Sequence, residues 1–156
     1  MSLPRVIAAL AVAVLLCLGH VRPAAGLAAL DNQAHCLALA VYWEAKTEGR
    51  DGMLAVASVI LNRVAHREFP DTVCAVVKQG GERPPCQFSW WCDGRSDRPT
   101  EARSWALARS IASEALTRPP QDATRGALFF HSADIGVPWV RKRERTARIG
   151  RHLFYR

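Results

Sequence analysis

The sequence predicts an α+β domain, in which a mainly helical body is followed by a small β element in the C-terminal third. Between residues 31 and 117, apolar residues recur at the i, i+3/i+4, i+7 spacing of amphipathic helices. The last third instead contains short runs of aromatic and β-branched residues next to glycine. At 156 residues the chain is long enough for one domain with a substantial core.

The N-terminal segment 1–26 is predicted to be a secretory signal peptide, which leaves 27–156 as the mature domain. It begins with a positive charge, continues with an apolar run over residues 6–18 and ends in small residues. The run is short for a membrane span, so an uncleaved N-terminal anchor is the less favoured alternative. We therefore expect an exported protein of the periplasm or cell envelope.

The charge of the mature chain agrees with such a location. The full chain has 21 basic and 14 acidic residues, and removal of Arg5 and Arg22 with the signal peptide leaves a net charge of +5. This charge suits an anionic envelope polymer or a membrane surface, and nucleic acid is a poor fit for an exported protein.

Four helices are predicted in the body, over residues 31–46, 53–66, 71–78 and 100–117. Asp31 and Asp71 are the predicted N-caps of the first and third helices. The second helix has apolar residues on nearly every side, which predicts that it is buried at the centre of the domain.

The remaining segments are a long loop and a β element. Residues 79–99 are predicted to form a functional loop, because long loops without a role are uncommon in compact domains. Residues 127–131 are predicted to form a strand, and 146–155 a hairpin around Gly150. The basic run 141–145 is interpreted as a solvated segment, with attraction to anionic polymers as its functional alternative.

The mature chain keeps four cysteines, Cys36, Cys74, Cys86 and Cys92. An even number in an exported protein indicates disulfides, for which three connectivities are possible. We favour Cys36–Cys74 and Cys86–Cys92. Zinc is disfavoured because a Cys-x5-Cys spacing is wider than that of usual zinc sites, and we expect neither a metal nor another cofactor.

Glu44 is the candidate catalytic residue. It continues the apolar stripe of Leu37, Ala40 and Val41 on the first helix. An ionised carboxylate is costly on such a stripe, and burial raises its pKa, which creates a proton donor at neutral pH. The structural alternative is a helix-end glutamate that reaches water or an arginine.

No second carboxylate has a comparable context. Glu48, one turn further on, is interpreted as a helix-end residue that braces the loop or contacts substrate, and Asp93 as a turn residue. Because ordinary glycosidases use two carboxylates, a single glutamate favours a substrate with an internal nucleophile. In N-acetylmuramic acid (MurNAc) the 6-hydroxyl can attack the anomeric carbon, with Glu44 acting first as acid and then as base.

The candidate substrate-binding residues lie mainly in the long loop. Phe88 and Trp90 are suited to stacking on sugar rings, and Gln87 and Ser89 to hydrogen bonding. His131 follows a predicted strand and is a candidate for lining the same cleft. The alternative for the aromatic residues is that they only pack a disulfide-closed loop.

Several segments in one order resemble the SleB/CwlJ-type cell wall hydrolases, named for spore-cortex-lytic enzymes. These segments are 40–49, 52–64, 69–74, 86–90, 126–131 and 149–155. The resemblance implies a lysozyme-like, lytic-transglycosylase-related fold acting on peptidoglycan. It also implies that Glu44 matches the first glutamate of the family's Gly-Glu-Ala-Arg-Gly-Glu motif. The chain departs from that motif at Trp43, Lys46 and Thr47.

The main hypothesis is therefore an exported enzyme that cleaves the bond between MurNAc and N-acetylglucosamine (GlcNAc) in peptidoglycan glycan strands by lytic transglycosylation. The alternatives are a hydrolytic muramidase, an N-acetylmuramoyl-L-alanine amidase and a non-catalytic glycan-binding module. An amidase normally needs a metal or a nucleophile, and no HExxH or Cys/His pattern supplies one.

Overall fold

The computed structural model describes residues 24–156. The predicted signal peptide lies outside this range except for residues 24–26, which begin the first helix. Within the described part of the chain, no helix combines the length and the apolar character needed to cross a membrane.

Five helices form the body: α1 (Ala24–Ala45), α2 (Gly49–Val64), α3 (Val73–Val77), α4 (Ser89–Cys92) and α5 (Ala102–Thr117). α1 packs against α2, α3 and α5, and its Leu37 and Val41 are fully buried. α2 buries side chains on every face, among them Met53 and Ile60, as expected for a central helix. The helical part of the α+β prediction is thus confirmed.

Several helix bounds differ from the prediction. α2 begins at Gly49 and not at residue 53, so it includes residues predicted to be loop, and the predicted loop 79–99 contains the short helix α4. The starts of α1 and α3 differ as well. α1 begins before Asp31, so this residue lies inside the helix and is not its cap. The preceding segment consists mainly of alanine and leucine, the strongest helix formers, which extend the helix toward the N-terminus. The cap of α3 is Thr72 and not Asp71, because the Thr72 hydroxyl accepts a hydrogen bond from the Ala75 N–H at 3.3 Å.

A three-stranded antiparallel sheet follows the helices, with strands β1 (Phe129–Ser132), β2 (Arg145–Ile149) and β3 (His152–Tyr155). Its order is β1-β3-β2, so the last strand lies in the centre. A 3-10 helix, Pro138–Lys142, precedes β2 and contains the start of the basic run. Phe154 of β3 packs against Ala55 and Val59 of α2, which joins the sheet to the central helix.

The turn between β2 and β3 requires a glycine. Gly150 has a φ of 56°, in the left-handed region that side chains rarely adopt. A Cβ at this position would also clash with the Glu48 carboxylate. The hairpin turn therefore sits directly against the connector between α1 and α2.

The structure contains both favoured disulfides. The body disulfide, Cys36–Cys74, joins α1 to α3 across a sequence separation of 38 residues. The loop disulfide, Cys86–Cys92, closes a segment with a separation of 6 residues around α4. The first connects two elements of the body, and the second shapes the loop that holds the candidate aromatic residues.

Candidate active site

Glu44 lies in the last turn of α1 and lines a cavity of about 280 Å³ between the helical body and the sheet. Three parts of the chain supply the other walls: α2, the loop before α4, and the sheet with the segment after β1. Their lining residues are Arg63, Gln87, Phe88, Phe130, His131, Ser132, Ile135, Val137 and His152. Among these described lining residues, Glu44 is the sole carboxylate.

The surroundings of Glu44 favour its protonated form. Burial raises the pKa of this carboxyl from 4.5 to about 7, because a carboxylate loses hydration when protein surrounds it. The positive charge of Arg63 and the indole N–H of Trp90 oppose this rise without cancelling it. Near neutral pH the residue can therefore both donate and accept a proton.

Arg63 is an almost completely buried cation, with 1% of its surface exposed. Its Nε donates a hydrogen bond to the Leu128 carbonyl at 2.7 Å, which fixes the guanidinium relative to the sheet. The guanidinium also lies 5.3–5.8 Å from the ring centroids of Phe69, Phe88 and Phe129. Burial lowers its pKa to about 10, which still leaves it charged at neutral pH, and the nearby Glu44 favours that charge.

The loop before α4 reaches the cavity through Gln87 and Phe88. With its amide oxygen turned toward Arg63, Gln87 accepts hydrogen bonds from both Nη atoms at 3.2 Å. Phe88 is 2% exposed and packs beside the same guanidinium. Arg63 therefore connects this loop to helix α2.

Ser89 and Trp90 lie outside the cavity lining. Ser89 is exposed at the start of α4. Trp90 is buried, and its Nε1 has no hydrogen-bond partner of normal geometry in the described residues, although its N–H is close enough to lower the pKa of Glu44. A substrate contact by Ser89 or Trp90 stays a prediction.

His131 lies in the cavity wall and is held by two contacts. Nδ1 is 2.8 Å from the Ser132 carbonyl oxygen, and Nε2 is 3.1 Å from the Tyr155 hydroxyl. The imidazole stacks on the Tyr155 ring at a centroid distance of 5.4 Å. This histidine is therefore held in the wall of the cavity that Glu44 also lines, and its role in substrate binding stays a prediction.

Glu48 is not among the residues that line the cavity. Its Oε2 accepts a hydrogen bond from the backbone N–H of Arg151 at 2.8 Å, in the turn between β2 and β3. It thereby braces the hairpin against the end of α1, which agrees with the bracing role considered from the sequence. Its role in substrate binding stays a prediction.

Six of the residues that line the cavity were not predicted as site residues from the sequence, and two of them, Arg63 and His152, have ionisable side chains. Arg63 lies on the buried helix α2, and a cation on a helix without an exposed face is as unusual as a carboxylate on an apolar stripe. His152 is 8% exposed, its Nδ1 has no hydrogen-bond partner among residues 24–156, and burial lowers its pKa. No local pattern marks His152, because its position depends on the pairing of β3 with β1.

Comparison with known proteins identifies the family. The profile of the cell wall hydrolase family matches residues 47–155. The chain belongs to this family. The match begins just after Glu44, in the region where the sequence departs from the family motif.

Curated relatives in this family include two spore cortex-lytic enzymes. That of Halalkalibacterium halodurans is 34% identical over 125 residues, which cover 80% of this chain and 34% of the relative. That of Bacillus subtilis is 33% identical over 126 residues, covering 80% of this chain and 37% of the relative. The chain therefore spans little more than a third of the length of these two relatives.

Solved structures extend the comparison to the fold. The catalytic domain of the germination-specific lytic transglycosylase SleB from Bacillus anthracis is 32% identical, with a TM-score of 0.64, and the match covers 80% of this chain and 94% of that domain. The catalytic domain of the Bacillus cereus SleB protein is 29% identical, with a TM-score of 0.61, and the match covers 81% and 91%. The lysozyme-like fold expected from the sequence is thereby confirmed.

Proposed function

We propose that this protein cleaves the MurNAc–GlcNAc bond of peptidoglycan by lytic transglycosylation, with Glu44 as its single acid and base. The observation that carries the proposal is one carboxyl with a pKa of about 7 in a cavity whose other described lining residues include no carboxylate. The likeness to a lytic transglycosylase catalytic domain supports the same reaction.

In the first step, protonated Glu44 donates its proton to the glycosidic oxygen while the bond from that oxygen to C1 of MurNAc breaks. The leaving GlcNAc keeps the proton as its 4-hydroxyl. Glu44 is then a carboxylate, and the charge of Arg63 stabilises it through the transition.

In the second step, the 6-hydroxyl of the same MurNAc attacks C1, and the Glu44 carboxylate accepts the proton that this hydroxyl loses. The product is a 1,6-anhydromuramyl end, and Glu44 returns to its protonated form without consuming water. Because the nucleophile belongs to the sugar itself, no second carboxylate is needed to activate it.

The walls of the cavity supply contacts for the sugar. Gln87 presents an amide beside Glu44, Phe88 presents part of an aromatic ring, and His131 offers a fixed imidazole. We propose these three residues as direct contacts of the muramyl unit. Glu48 would support the site by bracing the hairpin turn, and Trp90 would support it through its indole near the Glu44 carboxyl. Ser89 would contact the glycan strand outside the cavity.

We further propose that the protein acts in the cell envelope after export, on peptidoglycan glycan strands. The predicted signal peptide, the two disulfides and the basic mature chain support this location.

The decisive experiment is digestion of purified peptidoglycan by the wild type and by Glu44→Gln, followed by mass spectrometry of the products. We expect anhydromuropeptides from the wild type and their loss in the variant. Glu82→Gln is the matched control, because it makes the same chemical change at an exposed glutamate.

Each alternative function produces a different result in this experiment. New reducing ends would indicate hydrolysis, and released stem peptides would indicate an amidase. Binding of glycan without cleavage would indicate a binding module. Full activity of Glu44→Gln would refute the role of Glu44.

A further inference from the structure

A second, larger depression of about 660 Å³ adjoins the Glu44 cavity. The two share His131, Ile135 and Val137 as lining residues, so they are neighbours. We call the second depression the side groove. It extends from His131 along the sheet and ends at Arg141.

The strands and the segment after β1 build the side groove. Its floor contains His131, Leu153 and Tyr155, which lie on the paired strands β1 and β3. The segment 133–140 forms its wall, and the 3-10 helix that begins at Pro138 positions Arg141 at the far end. A volume of this size is in the range of pockets for small ligands.

The chemistry of the side groove is mainly apolar with one cation. Ile135, which is 58% exposed, adds to the apolar surface formed by Val137, Val140 and Leu153. Arg141 is exposed and belongs to none of the ion pairs found among residues 24–156, whereas the nearby Glu144 is paired with Arg156. A fitting ligand therefore has aliphatic groups near His131 and an anionic group near Arg141.

The substrate of the proposed reaction has such a part. The lactyl group on C3 of MurNAc bears a peptide stem, which contains methyl groups and free carboxylates. A muramyl unit held at Glu44 would direct this stem away from the scissile bond and toward a neighbouring groove. A second saccharide would instead require polar partners along most of its length, and in this lining only His131, Arg141 and Tyr155 have side chains that can hydrogen-bond it.

We propose that the side groove binds the peptide stem of the muramyl unit and that Arg141 receives a carboxylate of that stem. This inference rests on the proposed function, because it takes the muramyl unit to lie at Glu44. It makes the enzyme selective for glycan strands that carry stems over strands without them.

The test compares cleavage of two substrates, glycan strands with stems and the same strands after removal of the stems by an amidase. The measured quantity is the ratio of kcat/KM on the first substrate to kcat/KM on the second. We expect Arg141→Gln to lower this ratio about tenfold, as for loss of one charged hydrogen bond. Lys142→Gln is the matched control, because it removes the neighbouring charge of the same basic run without altering the groove lining.

A second variant fills the side groove without removing a charge. An added Cβ at Gly136 meets no atom within 4 Å, so Gly136→Leu can extend into the groove without a clash in the fold. We expect it to lower the same ratio. An unchanged ratio in both variants, or an equal loss on the two substrates, would overturn the proposal, and the latter would indicate a saccharide subsite.

A binding measurement separates this inference from the proposed reaction. Soluble MurNAc-peptide and MurNAc alone are titrated into Glu44→Gln and followed by NMR. We expect tighter binding of the MurNAc-peptide, and loss of that advantage when Arg141→Gln is added. If the advantage persists, the side groove is not the stem site. Failure of the wild type to cleave either strand would refute only the reaction.

Discussion

Replacement of Glu44 by glutamine should stabilise the protein at neutral and alkaline pH. Glutamine resembles the protonated carboxyl in shape and charge, so the variant keeps permanently the form that the folded protein favours. The wild type must instead hold a carboxylate in a desolvated position once the pH exceeds the pKa of Glu44.

The size of the effect follows from the two pKa values. Below pH 4.5 the carboxyl is protonated in both the folded and the unfolded chain, so the two proteins should have similar stability. Between pH 4.5 and about 7 the unfolded chain releases the proton first, and the wild type loses stability relative to the variant. Above pH 7 the full difference, about 3 kcal/mol, should be present.

The assay is denaturant unfolding of both proteins between pH 4 and pH 9 with the disulfides intact. The difference in unfolding free energy is plotted against pH, so that titrations common to both proteins cancel. Glu82→Gln serves as control and should show no such divergence. A constant difference across the range would refute the reasoning, because it would mean that burial does not raise the pKa of Glu44.

Three further predictions concern Arg63, the two disulfides and Trp43. Arg63→Met should raise the pKa of Glu44 further, because it removes a cation that lowers this pKa. Arg63→Lys should bring the pKa part of the way back toward the wild-type value. NMR titration of the Glu44 carboxyl measures both variants, and a lower pKa in Arg63→Met would contradict the assignment. Removal of the body disulfide by paired alanine substitutions should cost about 4 kcal/mol and removal of the loop disulfide about 2 kcal/mol, since the longer closure restricts the unfolded chain more. Denaturant unfolding tests this order, which equal losses would contradict. Trp43→Phe should lower the free energy of unfolding by about 1 kcal/mol, because it removes the hydrogen bond from Nε1 to the Asp97 carbonyl. The cleavage products should stay the same, and a changed product pattern would show that Trp43 takes part in the site.

The position of Glu44 follows from helical periodicity alone, because a stripe of apolar residues continues directly into the carboxylate. The same reasoning extends to Arg63, since the residues around it on α2 are apolar on nearly every side, unlike those around the exposed Arg50 in the first turn. The sequence also indicates that 87–91 is an ordered loop, because it combines aromatic residues with a short cysteine spacing.

Other parts of the site depend on tertiary structure and have no local pattern. His152 reaches the cavity because β3 lies in the centre of the sheet and pairs with β1, an order that the sequence of a short hairpin does not encode. The same pairing brings Tyr155 beside His131. The start of α1 differs from the prediction for a simpler reason, since helix propensity upstream of Asp31 outweighed its preference for a cap.

Trp43 and Lys46, which depart from the family motif, contact the loop before α5 and do not line the cavity that Glu44 lines. The Trp43 indole binds the Asp97 carbonyl, and the Lys46 ammonium pairs with the Glu101 carboxylate at 2.6 Å. The Tyr42 hydroxyl accepts hydrogen bonds from the backbone of the same segment, at Thr100 and Glu101. These contacts attach the loop before α5 to the end of α1. Because Glu44 faces the cavity, where Arg63 and Trp90 influence its pKa, we expect changes at positions 43 and 46 to alter how the loop is anchored and to leave the Glu44 cavity unchanged.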